Sequence, residues 1–265
     1  MRWVTFVRTT KCIAVNGNDP NDPYPVERAA AFSVLRFKHV DPEREQICKL
    51  VGLKSGRANH TRWFELVDEM LHDSQRALRP RALFRIDKVT TLSDGQLELA
   101  SGVVIDGSVG SFLRHAIQVA TYVATIGSAL ERLSRHWLRT GKVMQATIAD
   151  AIASESAEAA AQQTRDKIRA WARARGLDTT PGYSPGYCGM HVRQQKSLFA
   201  SLPTERINVH LTPTCLMLPV KSVSGLVGIG PADKVSPSGY PCERCDHPDC
   251  MQRRTAFGGE PGTAD

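Results

Sequence analysis

Residues 117–126 read IQVATYVATI, and residues 142–175 read KVMQATIADAIASESAEAAAQQTRDKIRAWARAR. The first stretch is β-branched and apolar, which fits a buried strand. The second is the longest helical stretch of the chain, and its first half is rich in alanine: Ala146, Ala149, Ala151, Ala153, Ala157, Ala159, Ala160 and Ala161. Small side chains let a second backbone approach closely, so this helix is expected to run through the centre of a domain. Between the two, Gly127 ends the strand. Ser128-Ala-Leu-Glu131 then has the spacing of a capping box for a helix reaching about Arg139.

Working outward, residues 41–52 (DPEREQICKLVG) predict a short helix with Pro42 in its first turn and Gly52 at its end. Residues 61–78 place Trp63, Leu66, Val67, Met70, Leu71, Ala77 and Leu78 at the three-to-four spacing of one helix face, and Pro80 stops the run. Leu83–Val89 and Gln96–Ala100 are strand-like, and Asp94-Gly95 between them is a hairpin signal. Beyond the long helix, residues 176–188 predict a loop and 189–201 a helix. Ile207, Val209 and Leu211 alternate as in a strand, and one or two further strands are expected over 216–229. Helices, a hairpin, a strand, long helices and then strands define an α+β fold rather than a regular βαβ series.

The chain has 265 residues, is 42% hydrophobic and 23% charged, and has a net charge of +7 from 34 Lys+Arg against 27 Asp+Glu. This is ordinary globular usage and excludes wholesale disorder. No apolar run approaches the roughly 18–20 residues of a membrane helix. Arginines interrupt the first apolar residues, unlike a secretory leader, so the reading is cytoplasmic with reduced thiols. Arg165, Arg169 and Arg173 form a stripe on the long helix, but no aromatic residues interleave with them. A solvated face complementing the helix dipole is favoured over nucleic-acid binding. Residues 1–26 are expected to be an extension and 257–265 a tail.

Two features invite chemistry. The run Pro181-Gly-Tyr-Ser-Pro-Gly-Tyr-Cys-Gly189 combines glycines, prolines and tyrosines, so backbone amides and aromatic faces could meet a ligand. Near the C-terminus, Cys242-x-x-Cys245 followed by Cys250 has the spacing of a metal-binding loop. Zinc requires a fourth ligand, for which Cys188 is the first choice, with Cys215 and His247 as alternatives. A [4Fe–4S] cluster is the other reading. Cys12 and Cys48 read as small buried hydrophobes, and His191 as a surface or hydrogen-bonded histidine.

The run Ser184-Pro-Gly-Tyr187, then Gln195-x-x-Leu198-Phe199, Leu211-Thr212, Met217-x-Pro219 and Ser222-Val-Ser-Gly225, resembles the reactivation domain of cobalamin-dependent methionine synthase in a stand-alone short form. Val34-Leu35-Arg36, Arg79-Pro80-Arg81, Thr125-Ile126-Gly127, and Asp150 with Glu158 add looser matches. The resemblance implies one α+β domain over residues 27–232, with a bent antiparallel sheet flanked by long helices. A cysteine-rich appendage over 233–256 follows. It further implies that the domain binds S-adenosylmethionine in a shallow groove and presents the methyl group to a cobalamin held by a partner corrinoid methyltransferase. An electron donor reduces cob(II)alamin, and irreversible methylation pulls that uphill reduction forward. Ser184, Pro185, Gly186 and Tyr187 would contact the ligand, with Glu158, or else Glu155, reaching its amino group or ribose. The tail cluster, held by Cys242, Cys245, Cys250 and Cys188, would carry the electron. The family loop has an arginine five residues before the motif tyrosine, where this chain has Gly182. That departure leaves a second reading, a metal-binding accessory of the same fold that no longer binds S-adenosylmethionine.

Overall fold

The computed structural model describes residues 32–53, 61–93, 95–107, 109–187 and 189–237. Its centre is the predicted strand, β5 (Gln118–Thr125), with every residue buried. On one side β5 pairs antiparallel with β2 (Arg81–Ser93), and on the other with β9 (Ser222–Pro231). β6 (Leu177–Tyr183) then adds to the far edge of β9. β2 is long and bent. Its first half lies between β5 and β1 (Phe32–Arg36). After a register shift between Val89 and Thr91 its second half pairs with β3 (Gln96–Leu99), which pairs in turn with β4 (Val104–Asp106). The expected bent antiparallel sheet is therefore present, and the shift in β2 is its bend.

Alternation along the strands divides the core. Ala82, Phe84, Ala120, Tyr122, Ala124, Val227 and Ile229 face the long helix α5 (Val143–Arg173). Ala149, Ala153, Ala157, Ala160 and Ala161 are buried on that helix, so its backbone sits close to the sheet as its composition predicts. Ile148, Ile152 and Ile168 are fully buried, and each contributes about 1.5–3 kcal/mol by leaving water. α1 (Arg44–Leu50), α2 (Thr61–Ser74) and α4 (Ala129–Arg139) pack around α5. Cys48 lies in this core, and burial pushes its thiol up from its ordinary value. The opposite sheet face buries Val119 and Leu226 against α3 (Val109–Phe112), α6 (Gln195–Ala200) and the β3–β4 hairpin. Leu83 and Val123 pack there with Leu202, Ile207 and Val209. Among the described residues no helix is long and apolar enough to cross a membrane.

Three local expectations are corrected. Residues 177–183 are a strand, not a loop. Pro181 falls within the register shift between Thr179 and Gly182, where the missing amide donor interrupts nothing. The alternation of Ile207, Val209 and Leu211 is not a strand, because a short 3-10 turn runs to Ile207 and Asn208 is left-handed with φ 58°. Only His210–Leu211 (β7) pairs, with Met217–Leu218 (β8). Ser128 caps nothing: its hydroxyl accepts from Arg132, while Glu131 accepts from the Val220 amide at 3.1 Å and from Arg135 at 2.9 Å. A tertiary partner took the glutamate that the capping box needed.

The arginine stripe proves intramolecular. Arg169 and Arg173 meet Asp178 of β6 at 2.8 and 3.3 Å. The Arg169 hydrogen bond holds the Asp178 carboxyl below its ordinary value. A depressed carboxylate contributes stability above its unfolded pKa of about 3.9 and loses it as pH falls through the folded value. Asp178→Asn should therefore cost about 2 kcal/mol at neutral pH. The gap between variant and parent in urea melts should close as pH is lowered below about 4. A pH-independent gap would refute the assignment.

Candidate functional site

The sequence motifs meet where β5, β9 and β6 lie side by side. Tyr122 of β5 stands opposite Gly225 of β9 in the ladder. Its ring crosses that glycine: a Cβ on Gly225 would lie 2.7 Å from the phenol oxygen and 2.8 Å from the Tyr183 carbonyl oxygen. The phenol reaches β6, where a Cβ on Gly182 would lie 3.2 Å from it. The glycine ending Ser222-Val-Ser-Gly225 is thus required by the tyrosine that passes over it. The serines of that motif are tethers. Ser222 Oγ donates to Thr125 Oγ1 at 2.9 Å or to the Pro219 carbonyl at 2.8 Å, and Gln195 Nε2 donates to Ser224 Oγ at 3.4 Å. Just before them, Lys221 reaches Asp150 of α5 at 2.8 Å.

Arg165 of α5 enters the same cluster. Its Nη1 donates to Tyr122 Oη at 2.9 Å, while Nε and Nη2 donate to Gln162 at 3.2 and 2.7 Å. Burial opposes its charge, but the Tyr122 oxygen and the carboxylates of Glu158 and Asp166 hold its pKa above the ordinary value. Among the described residues no carboxylate bonds its guanidinium directly. A Cβ on Gly182 would lie 2.7 Å from Arg165 Cδ. The guanidinium of the helix therefore occupies the neighbourhood of the very position where the resemblance expects a loop arginine. Sequence reading missed this because Arg165 and Gly182 lie on different elements; the signal was one stripe arginine beside one missing loop arginine.

The Ser184–Tyr187 turn follows directly. Gly186 adopts φ 97°, which glycine accommodates without strain. Its amide donates to the Met190 carbonyl at 2.7 Å, and the Tyr187 amide donates to the Ser184 carbonyl at 3.2 Å. These amides are taken within the turn, contrary to the expectation that they stand free for a ligand. Pro185 is buried, and Tyr187 is 49% exposed. What the turn holds out is therefore an aromatic face. On α5, Glu155 is 2% exposed, whereas Glu158 is only partly buried. Accessibility thus favours Glu158 of the two. His191 Nδ1 accepts from the Arg193 amide at 3.1 Å, the hydrogen-bonded surface role expected of it.

Cys188, Cys242, Cys245 and Cys250 lie outside the described residues, as does His247. Cys215 is buried in the β7–β8 turn with φ 65°. Among the described residues no group of three or more His, Cys, Asp or Glu could hold a metal ion.

This architecture is similar to that of a solved methionine synthase reactivation domain. The solved structure titled "Crystal Structure of the MetH Reactivation Domain bound to AdoHcy" matches with a TM-score of 0.60 and 15% identity, covering 79% of this chain and 80% of that one. Residues 113–236 match the family model described as vitamin B12 dependent methionine synthase, activation domain. That span holds β5, α5, β6, the Ser184–Tyr187 turn and β9, so the resemblance rests on the same elements as the candidate site. No curated protein matches the sequence.

Proposed function

We propose that the chain binds S-adenosylmethionine beside the Ser184–Tyr187 turn and presents its methyl group to a corrinoid held by a partner methyltransferase, cobalamin-dependent methionine synthase being the direct candidate. The observation carrying this reading is the convergence of the Ser184–Tyr187 turn, the Ser222–Gly225 motif and Arg165 on one strand junction, within residues that match the activation-domain family. The related reactivation domain was crystallised with AdoHcy, the demethylated product that such a transfer leaves.

In this reading each residue has a distinct task. Tyr187 offers its exposed ring to the adenine. Arg165 supplies the cation for the ligand carboxylate that the loop at Gly182 lacks. Glu158 takes the amino group or ribose, and its charge also acts on Arg165. The corrinoid and an electron donor supply the redox chemistry, while the domain contributes proximity by holding the sulfonium methyl toward the partner. Cys242, Cys245 and Cys250, with Cys188, remain the proposed metal or [4Fe–4S] ligands of the appendage over 233–256. Their spacing is the support, and no step of the methyl transfer is assigned to them.

Calorimetry of the purified full chain with S-adenosylmethionine tests the central claim. Saturable binding with one site is expected; its absence would leave the accessory reading in which the fold persists without the ligand. Anaerobic purification followed by absorption spectroscopy and metal analysis tests the cysteines separately. A colourless protein with stoichiometric zinc would sink the electron-carrier role.

A further inference from the structure

We infer that the cavity at the β5–α4 turn is a binding site for a small ligand carrying a phosphate-class oxyanion. The cavity measures about 280 Å³ and is lined by Arg79, Arg81 and Arg132 together with Thr125, Gly127 and Ser128. The three arginines come from separate parts of the fold. Arg79 follows α2, Arg81 begins β2, and Arg132 lies in the first turn of α4. Among the described residues no carboxylate lines the cavity. The acid closest to Arg132 in sequence, Glu131, is engaged by Arg135 and the Val220 amide.

Among the described residues, none of the three arginines pairs with a carboxylate. Arg79 Nη1 donates to the carbonyls of Arg76 and Leu78 at 2.8 and 2.7 Å, which anchors that side chain and leaves Nε and Nη2 for another acceptor. Arg132 Nη1 donates to Ser128 Oγ. Three like charges around one concavity repel in the absence of a counter-charge. An anion bound there relieves that repulsion and accepts several charge-assisted hydrogen bonds. The start of α4 adds a weaker contribution of the same sign, since Ser128 makes no side-chain cap.

The charge count selects the class. A carboxylate neutralises one guanidinium and bonds one fork. A phosphate dianion has more oxygens and charge, matching arginines that come from three directions. The volume, just below the roughly 300–1,000 Å³ of typical small-molecule sites, suits the anion with a small organic remainder. This site is independent of the S-adenosylmethionine reading, since it uses none of the residues assigned there.

The test is calorimetry of the full chain in a non-phosphate buffer at fixed ionic strength, titrating inorganic phosphate, phenyl phosphate and acetate. Saturable binding of a phosphate species at one site is expected, with acetate failing to compete at equal ionic strength. The Arg81→Gln/Arg132→Gln double variant, checked for folding by circular dichroism, should lose roughly ten- to a hundredfold in affinity. Tighter binding of phenyl phosphate than of phosphate identifies a phosphate ester as the ligand, and the reverse order identifies free phosphate. Absence of saturable binding, equal competition by acetate, or undiminished binding to the folded double variant overturns the proposal.

Discussion

Gly225→Ala lowers the melting temperature of the chain by roughly 6–12 °C, from a destabilisation of about 3 kcal/mol. The size of the effect follows from what the added methyl group meets. Two of its nearest neighbours are the Cζ and Oη atoms of a fully buried tyrosine, and the third is a strand carbonyl, all within 2.8 Å. The ring cannot swing away, because Tyr122 is fixed in the central strand and its hydroxyl is held by Arg165 at 2.9 Å. The carbonyl cannot retreat, because Tyr183 is in register with Leu226. Tyr122→Phe removes the hydroxyl but neither the ring carbon nor the carbonyl, so it gives little rescue. Gly95→Ala is the control. Nothing lies within 4 Å of a Cβ there, and its melting temperature should stay near that of the parent. A thermal melt of Gly225→Ala within 2 °C of the control would show that the junction is not packed as described.

The frame of the fold was legible in the sequence because it rests on period and composition. A fully buried strand needs β-branched and apolar residues throughout, and β5 has them. A helix lying close to a sheet needs small residues, and α5 has them over several turns. Both signals are local and strong. What was illegible depends on partners distant in sequence. β6 contains Pro181 and Gly182, which read as loop formers until the ladder with β9 is seen to slip past Pro181 and resume at Gly182, opposite Val227. The hydrophobic alternation of Ile207, Val209 and Leu211 is real, yet Asn208 turns left-handed and two of the three side chains enter the core from a 3-10 turn and its exit. Glu131 was correctly spaced for a capping box but bonds an amide 89 positions away.

The candidate site divides in the same way. The Ser184–Tyr187 turn and the Ser222–Gly225 strand were recognisable as motifs, since each is contiguous. Their meaning was not. The glycine of the second motif makes room for Tyr122 and its serines tether the strand to Thr125, Pro219 and Gln195, structural tasks that one sequence cannot distinguish from ligand contact. The amides of the turn, expected to face a ligand, close the turn on itself. The arginine stripe divides by partner as well. Arg169 and Arg173 belong to Asp178, and only Arg165 is directed at the strand junction.

That division makes Arg165 the residue on which the proposed S-adenosylmethionine binding is best tested. Arg165→Met is expected to weaken S-adenosylmethionine binding by roughly ten- to a hundredfold, the value of one charge-assisted contact to a carboxylate. The same change removes the donor to the buried Tyr122 hydroxyl, so some loss of stability accompanies it. Tyr122→Phe separates the two effects. It deletes the same internal hydrogen bond and leaves the guanidinium in place, so affinity should stay within a few-fold of the parent. Gly182→Arg alone should destabilise the chain, because its Cβ would lie 2.7 Å from Arg165 Cδ. Combined with Arg165→Ala, which clears that space, it puts the cation at the loop position where the resemblance expects one, and both stability and affinity should recover relative to the single variants. Calorimetry on the folded variants decides the matter. If Arg165→Met binds as tightly as the parent, the carboxylate is held elsewhere and the helix arginine is only a tether for Tyr122. If Arg165→Met loses affinity and the double variant regains it, one positive charge at this junction is what the ligand requires, whichever element supplies it.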